Sequence, residues 1–316
     1  MPSTTVFIRH WLPDGQLPRW QSGFPACAFI DGRESAAAAG QLQRAEIVYG
    51  LPELKELKAS PVKWIQLASA GVPAALCPIA KERGIRVTNL AGLYGPTIAE
   101  HALAMMLILS RNLQVAQCNQ AARKWDRTVA GTMRDLHGKT LAIVGLGNIG
   151  QNIARLAKAF GMRVVGCRRT ARPTPFTDRV YAAAELRAML SEADYVAVAA
   201  PLTPETEGML GPAEFAASRP GAFYVNVSRG AIAQEAALLD ALKSGQVAAA
   251  GLDVFAVEPL PSEHPFWTMP NVLVSPHFSG ETTNTGPLPA ERFTRNLQNY
   301  LAGRALEGTV DLDLGY

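Results

Sequence analysis

The sequence predicts an α/β protein of two domains, each a parallel sheet covered by helices. Three observations predict it. Short apolar β-like runs alternate with helical segments along most of the chain, the pattern of strands joined by helical crossovers. One of these runs, residues 141–144, leads straight into Gly145-x-Gly147-x-x-Gly150, and residues 151–160 continue at helical spacing. At 316 residues the chain also exceeds the roughly 250 residues beyond which a single core rarely grows.

In chain order, strands are read at 6–8, 28–30, 47–49, 64–67 and 85–88, with helices at 36–43, 52–58 and 74–83. The loop Ser69, Ala70, Gly71 and Val72 lies where a strand gives way to a helix. Such loops cluster backbone N–H groups that can hold a small carboxylate, although taken alone it reads as an ordinary turn. Pro96 opens a long helix with apolar residues on most sides, among them Ala99, Leu103, Met106 and Leu109. It is too apolar for a surface helix, so burial between domains or against a partner subunit is expected. His101 on it reads as a packed or hydrogen-bonded structural histidine, and residues 114–124 read as an exposed arm.

From Thr140 the alternation becomes regular. Strands are expected at 140–145, 163–167, 194–200, 222–228, 247–253 and 271–275, with helices at 150–160, 182–190, 211–217 and 234–243. Six parallel strands with the glycine motif on the first describe a doubly wound, Rossmann-type dinucleotide-binding domain. Gly145 would allow the tight turn, Gly147 would let backbone approach a pyrophosphate, and Gly150 would seat the helix on the strand. Asn148 and Ile149 complete the turn into the helix N-terminus, whose unpaired N–H groups attract phosphate.

Ligands of such sheets collect at the carboxyl ends of the strands. After the second strand stand Arg168, Arg169 and Thr170, the first 18 residues past Gly150. An NAD site usually places Asp or Glu about 20 residues past the glycines, to bind the ribose 2′-hydroxyl. Two arginines in its stead suit a 2′-phosphate, which a guanidinium fork binds in bidentate fashion, so NADP(H) is preferred, with NAD(H) as the other possibility. The proline-punctuated loop from Pro201 to Thr206 follows the third strand, where it would pass over a cofactor, although by itself its sequence demands only a rigid turn. Arg229 follows the fourth strand, Asp253 and Glu258 the fifth, and His277 and Ser279 the last. Singly these are a surface arginine, a capping aspartate, a loop glutamate and a turn histidine. Together, on one edge of a nicotinamide-binding sheet, they read as an acid–base histidine, its carboxylate partner and an anion anchor.

Composition narrows the rest. A net charge of +3 with no basic run gives no reason to invoke nucleic acid or an anionic membrane. Cys27, Cys77, Cys118 and Cys167 lie far apart without metal-ligand spacing, so neither a metal site nor a disulfide framework is expected. No secretory signal or membrane span is seen, and a cytoplasmic location is the default.

The chain resembles the D-isomer-specific 2-hydroxyacid dehydrogenases over nearly its full length. The matching residues are Val87-Thr88-Asn89, Ala99-Glu100-His101-Ala102-Leu103, Gly138-Lys139-Thr140 leading into the glycine motif, and Pro201 to Thr206. Asn226-Val227-Ser228-Arg229-Gly230, Gly251-Leu252-Asp253-Val254-Phe255, Glu258-Pro259-Leu260-Pro261 and Pro276-His277 complete the set. The resemblance implies a smaller flavodoxin-like substrate domain, 1–95 plus 285–316, into which the Rossmann cofactor domain, 96–284, is inserted. It implies a homodimer formed through the cofactor domain. It gives Arg229 the binding of the substrate carboxylate and carbonyl, Glu258 and His277 the proton relay, and Asp253 the carboxamide side of the nicotinamide. The Ser69 to Val72 loop matches the one whose amides hold the substrate carboxylate, and Tyr94 and Ser279 are read as pocket residues. The reaction implied is reduction of a 2-oxo acid to the D-2-hydroxy acid and its reverse, as in glyoxylate/hydroxypyruvate reductases. Two other readings remain: a cofactor-sensing corepressor, since such proteins keep the same triad, and a relative acting on a small anion such as phosphite. Against phosphite, the relative that oxidises it uses a lysine where this loop reads Ser69-Ala70-Gly71.

Overall fold

The computed structural model describes residues 4–33, 40–73 and 75–316. The chain divides into two compact units, Met1–Tyr94 with Thr282–Tyr316, and Gly95–Glu281.

The first unit carries β1 (Thr4–Ile8), α1 (Gln16–Gly23), β2 (Cys27–Asp31), β3 (Ile47–Tyr49), α2 (Leu54–Leu57), β4 (Trp64–Gln66), α3 (Leu76–Arg83) and β5 (Arg86–Thr88). Its sheet has the order β2-β1-β3-β4-β5 with every pair parallel, the flavodoxin-like winding. Both faces are buried, as parallel sheets require. Phe7, Val48, Ile65 and Val87 fill one side, and Val6, Ile8, Ile47, Tyr49 and Trp64 fill the other. A C-terminal helix, residues Leu288–Leu301, closes the second side: Phe293 packs its ring 4.8 Å from Trp20, 5.0 Å from Tyr49 and 5.4 Å from Trp64.

No helix is among those expected from the sequence at α1, which holds Pro18. Pro18 falls in the first helical turn, where a missing N–H leaves no helical bond unmade. Half of the expected helix at 36–43, residues 36–39, lies outside the described residues, and Gln41–Arg44 forms a 3-10 turn. Ala74, at the start of another expected helix, is likewise outside them, and α3 is observed from Leu76.

The second unit opens with α4 (Gly95–Ser110) and α5 (Leu113–Ala121). It continues through β6 (Thr140–Val144), α6 (Asn148–Ala159), β7 (Arg163–Arg168), β8 (Arg179–Ala182), α7 (Leu186–Leu190), β9 (Tyr195–Val198), α8 (Pro212–Ala217), β10 (Ala222–Asn226), α9 (Glu235–Ser244), β11 (Val247–Leu252) and β12 (Val272–Val274). The sheet order β12-β11-β10-β9-β6-β7-β8 reverses between β6 and β9, so the crevice of a doubly wound sheet opens beside the glycine motif. Seven strands are present among the described residues where six are expected. The additional strand, β8, is a four-residue edge strand with only Tyr181 buried, too short and too exposed to leave a period-two signal.

α4 corrects a second expectation. Nine of its sixteen residues are buried, yet what buries them lies within its own unit: α4 packs on α6, β10 and β11. A side chain at Gly251 on β11 would strike Met105, so the glycine sets how closely helix and sheet approach. The next helix, α5, buries none of its residues.

Candidate active site

Gly145 takes φ +98°, and a Cβ there would run into the Ala199–Ala200 backbone at the end of β9. A Cβ at Gly150 would strike the Gly145 carbonyl oxygen, so α6 rests directly on the turn. Gly147 differs. Its φ of −78° suits any residue, and a Cβ would meet no protein atom within 4 Å. Packing thus demands glycine at 145 and 150, whereas at 147 bare backbone faces open space at the N-terminus of α6, beside the exposed Asn148 and half-buried Ile149. This cradle fits a dinucleotide pyrophosphate. Arg168 is the last residue of β7 and half-buried, while Arg169 and Thr170 are exposed. Among the described residues no hydrogen bond or ion pair engages the Arg168 guanidinium. Glu205, in the loop after β9, has its carboxyl pKa lowered chiefly by the Thr203 hydroxyl, with Arg169 contributing. That loop is closed on itself: Thr206 Oγ1 accepts the Thr203 N–H at 2.8 Å and donates to the Pro201 carbonyl at 2.6 Å.

The carboxyl ends of three adjacent strands carry the remaining groups. Asn226, at the end of β10 and 2% exposed, accepts the Ser228 N–H and donates to the Arg229 carbonyl, both at 3.0 Å, which fixes the turn bearing Arg229. Gly230 follows because a side chain there would strike the Phe255–Ala256 backbone. That close approach brings the Arg229 turn onto the loop that carries Glu258. Glu258 Oε1 accepts the Phe255 N–H at 3.0 Å, and its Oε2 lies 2.6 Å from His277 Nδ1. With Nδ1 so engaged, Nε2 is the ring nitrogen left for a reacting group. The imidazole is 44% exposed, so it is open to a ligand.

Asp253 sits at the end of β11 with none of its side chain exposed. Its Oδ1 accepts Ser275 Oγ–H at 2.6 Å and the Phe278 N–H at 3.1 Å, and its Oδ2 accepts the Ser279 N–H at 3.1 Å. The carboxylate therefore clamps the turn on either side of His277, a role that sequence reasoning about cofactor contacts missed. Ser279, read as a pocket residue, is 4% exposed and belongs to this clamp. Phe278 is exposed, as are Pro276 and His277 before it. The signal for these holding residues was present as small polar side chains closing apolar strands: Asn226, Ser228 and Ser275.

In the first unit, Ser69 Oγ donates to the Gly71 carbonyl at 2.8 Å, and Asn89 Nδ2 donates to the Ala70 carbonyl at 2.7 Å. Among the described residues no backbone bond uses the N–H groups of Ala70, Gly71 or Val72. Tyr94 is half-buried.

A family model for the D-isomer specific 2-hydroxyacid dehydrogenase NAD binding domain matches residues 103–279. The chain belongs to the D-isomer specific 2-hydroxyacid dehydrogenases. Among curated members, it is 34% identical over 261 residues to a D-3-phosphoglycerate dehydrogenase of Mycobacterium leprae, covering 82% of this chain and 49% of that one. It is 35% identical over 241 residues to a glyoxylate reductase of Thermococcus litoralis, covering 74% and 72%. The chain spans about half the length of the phosphoglycerate dehydrogenases it matches. Among solved members, one from Aeromonas salmonicida superposes with a TM-score of 0.85 at 31% identity, over 98% of this chain and 99% of that one. An NADPH-dependent glyoxylate/hydroxypyruvate reductase from Sinorhizobium meliloti, in complex with NADP and sulfate, gives 0.85 at 25% identity over 99% and 100%.

Proposed function

We propose that this chain reduces a small 2-oxo acid to the D-2-hydroxy acid, and runs the reverse reaction, with NADP(H) preferred over NAD(H). The observation that carries the reaction is the 2.6 Å contact of Glu258 with His277 Nδ1 at the strand ends of a dinucleotide-binding sheet. The bound cofactor supplies the hydride that reaches the carbonyl carbon. His277 donates a proton from Nε2 to the oxygen as negative charge develops there, and Glu258 stabilises the imidazolium that must precede this donation. Arg229 holds the substrate carboxylate and polarises the carbonyl. The unused amides of Ala70, Gly71 and Val72 are proposed as further carboxylate donors. Arg168 and Arg169 are proposed to bind the 2′-phosphate, and Gly145 to Gly150, with Pro201, Thr206 and Asp253, to complete the cofactor site.

The two units are proposed as a substrate domain and a cofactor domain. A homodimer through the latter is supported by the bare surface of α5 and by Trp125, which is 94% exposed. Among the described residues no helix is long and apolar enough to cross a membrane, and all four cysteines are free, which suits a reducing cytoplasm.

Loss of absorbance at 340 nm on mixing with glyoxylate, hydroxypyruvate, pyruvate or phenylpyruvate, with NADPH and with NADH, tests both proposals. His277→Gln should lose at least about 100-fold in kcat while keeping NADPH affinity. Tight cofactor binding without turnover of any 2-oxo acid would instead identify a sensor.

A further inference from the structure

His101 lies on α4 and is half-buried, and the chemistry above makes no use of it. Its Nε2 stands 3.0 Å from Ser275 Oγ, and that hydroxyl stands 2.6 Å from Asp253 Oδ1. A carboxylate oxygen only accepts, and a serine has one proton to give. The Ser275 proton therefore goes to Asp253, and Ser275 Oγ faces His101 with a lone pair. It follows that His101 carries a proton on Nε2 and donates it. At the far end of this chain Asp253 binds the amides of Phe278 and Ser279, the two residues after His277, while its carbonyl accepts the His277 N–H at 2.8 Å. The turn needs holding: His277 has φ +53°, a region that residues other than glycine enter at a cost and keep only when their surroundings over-determine them. α4 also grips the turn directly, because the Phe278 and His101 rings meet edge to face at 5.5 Å.

We infer that His101 is a positioning residue for His277: its Nε2–H orients the Ser275 hydroxyl on Asp253, and Asp253 holds the strained turn that aims the His277 imidazole. Burial lowers the pKa of His101 from its ordinary value, with Asp253 opposing the shift, which suits a neutral donor near pH 7. The inference rests on the acid–base reading of His277, and its test includes a readout that needs no turnover.

Two variants separate the role from packing. His101→Leu removes the donor, whereas His101→Gln keeps an N–H near the position of Nε2. In the full-length protein, His101→Leu should lower kcat about 10- to 100-fold, the penalty of a catalytic group displaced by about 1 Å, with the KM for NADPH unchanged. It should also speed hydrogen exchange at the Phe278 and Ser279 amides about tenfold or more, leaving the β6 and β9 amides protected. His101→Gln should recover most of both. Ser275→Ala cuts the same chain at its middle link and should give the same exchange pattern, so the test survives if His101→Leu does not fold. Should the wild type reduce no 2-oxo acid, the functional reading fails alone, and exchange still decides the positioning role. Unchanged exchange at Phe278 and Ser279 in His101→Leu and Ser275→Ala would overturn the inference. So would equal losses in the Leu and Gln variants with exchange raised along the whole of α4, which is the mark of packing alone.

Discussion

Asp253→Asn is the sharpest test of how the second unit holds its active turn. The buried carboxylate accepts three protons from its own chain: the Ser275 hydroxyl at 2.6 Å and the Phe278 and Ser279 amides at 3.1 Å. Asparagine has the same shape but one oxygen, so whichever way the amide is turned, its NH2 faces a group that can only donate. If the oxygen replaces Oδ1, the Ser279 N–H loses its acceptor; if it replaces Oδ2, the Phe278 N–H does, and Ser275 must turn to accept. An unsatisfied buried donor costs about 1–3 kcal/mol, and each remaining bond falls from charge-assisted to neutral strength, a further loss of about 1 kcal/mol. Removing a buried charge returns part of this, leaving a net destabilisation of about 2–3 kcal/mol. At roughly 2–4 °C per kcal/mol for a unit of this size, the transition of the second unit should fall by about 4–12 °C in scanning calorimetry, with kcat reduced because the His277 turn is released. A transition within about 1 °C of wild type, with wild-type kcat, would refute the assignment of Asp253 as the clamp.

The glycine turn offers a contrast between neighbours. Gly147→Ala should leave the thermal midpoint within about 1 °C, because its Cβ meets no protein atom, yet weaken NADPH at least about tenfold by filling the approach to the backbone. Gly150→Ala should cost about 1–3 kcal/mol through collision with the Gly145 carbonyl; equal thermal effects at the two positions would contradict the cradle geometry. Replacing Arg168 with Asp and Arg169 with Ala together should shift the NADPH-to-NADH ratio of kcat/KM by about 10- to 100-fold towards NADH, since one charge-assisted pair is worth about 1.5–3 kcal/mol; an unchanged ratio would sink the 2′-phosphate assignment. Burial lowers the pKa of both His10 and His101 from the ordinary value near 6.5. The unfolded chain therefore takes up protons first as pH falls, so their contribution to stability is complete above about pH 6.5 and is lost as pH drops towards the folded values. Urea midpoints should decline between pH 7 and 5 and decline less in a His10→Gln, His101→Gln double variant; parallel slopes in the two proteins would refute the argument. The lowered carboxyls of Asp31 and Asp178 act at lower pH and do not confuse that window.

Much of this architecture is legible because parallel strands must be apolar on both faces. Ile143, Val165, Val196, Val225 and Ala250 announce their strands by composition alone, and the glycine motif gains meaning from the strand before it. β8 is illegible for the converse reason: one side chain, Tyr181, faces the core, and neither period nor composition marks it. α4 shows what hydrophobicity withholds. Its apolar surface correctly requires burial, but nothing in the helix itself says whether sheet, domain or partner supplies it; Gly251 on β11 holds that information, 146 residues beyond Met105 in the chain. At the site, the rule that ligands collect at strand ends draws attention to Arg229, Glu258 and His277, and the contact of the last two follows from a loop whose path no local signal gives. The holding residues were harder. Asn226 and Asn89 act through backbone carbonyls 3 and 19 positions away, and Ser275 through the Asp253 carboxylate 22 positions away, so their meaning exists only once the turns are folded.

β12 is the outermost strand of its sheet, three residues long, partly exposed and paired on one side to β11. His277 follows it by three residues, so the group proposed for acid–base work hangs from a short, partly exposed edge of the unit. Local opening of such an edge costs less free energy than unfolding the whole, and what the Asp253 clamp adds to β12 is chiefly resistance to peeling. On heating, activity should therefore vanish before the sheet melts and return on cooling, so the temperature at which the enzyme stops working reports the hold of one short strand and not the stability of the molecule.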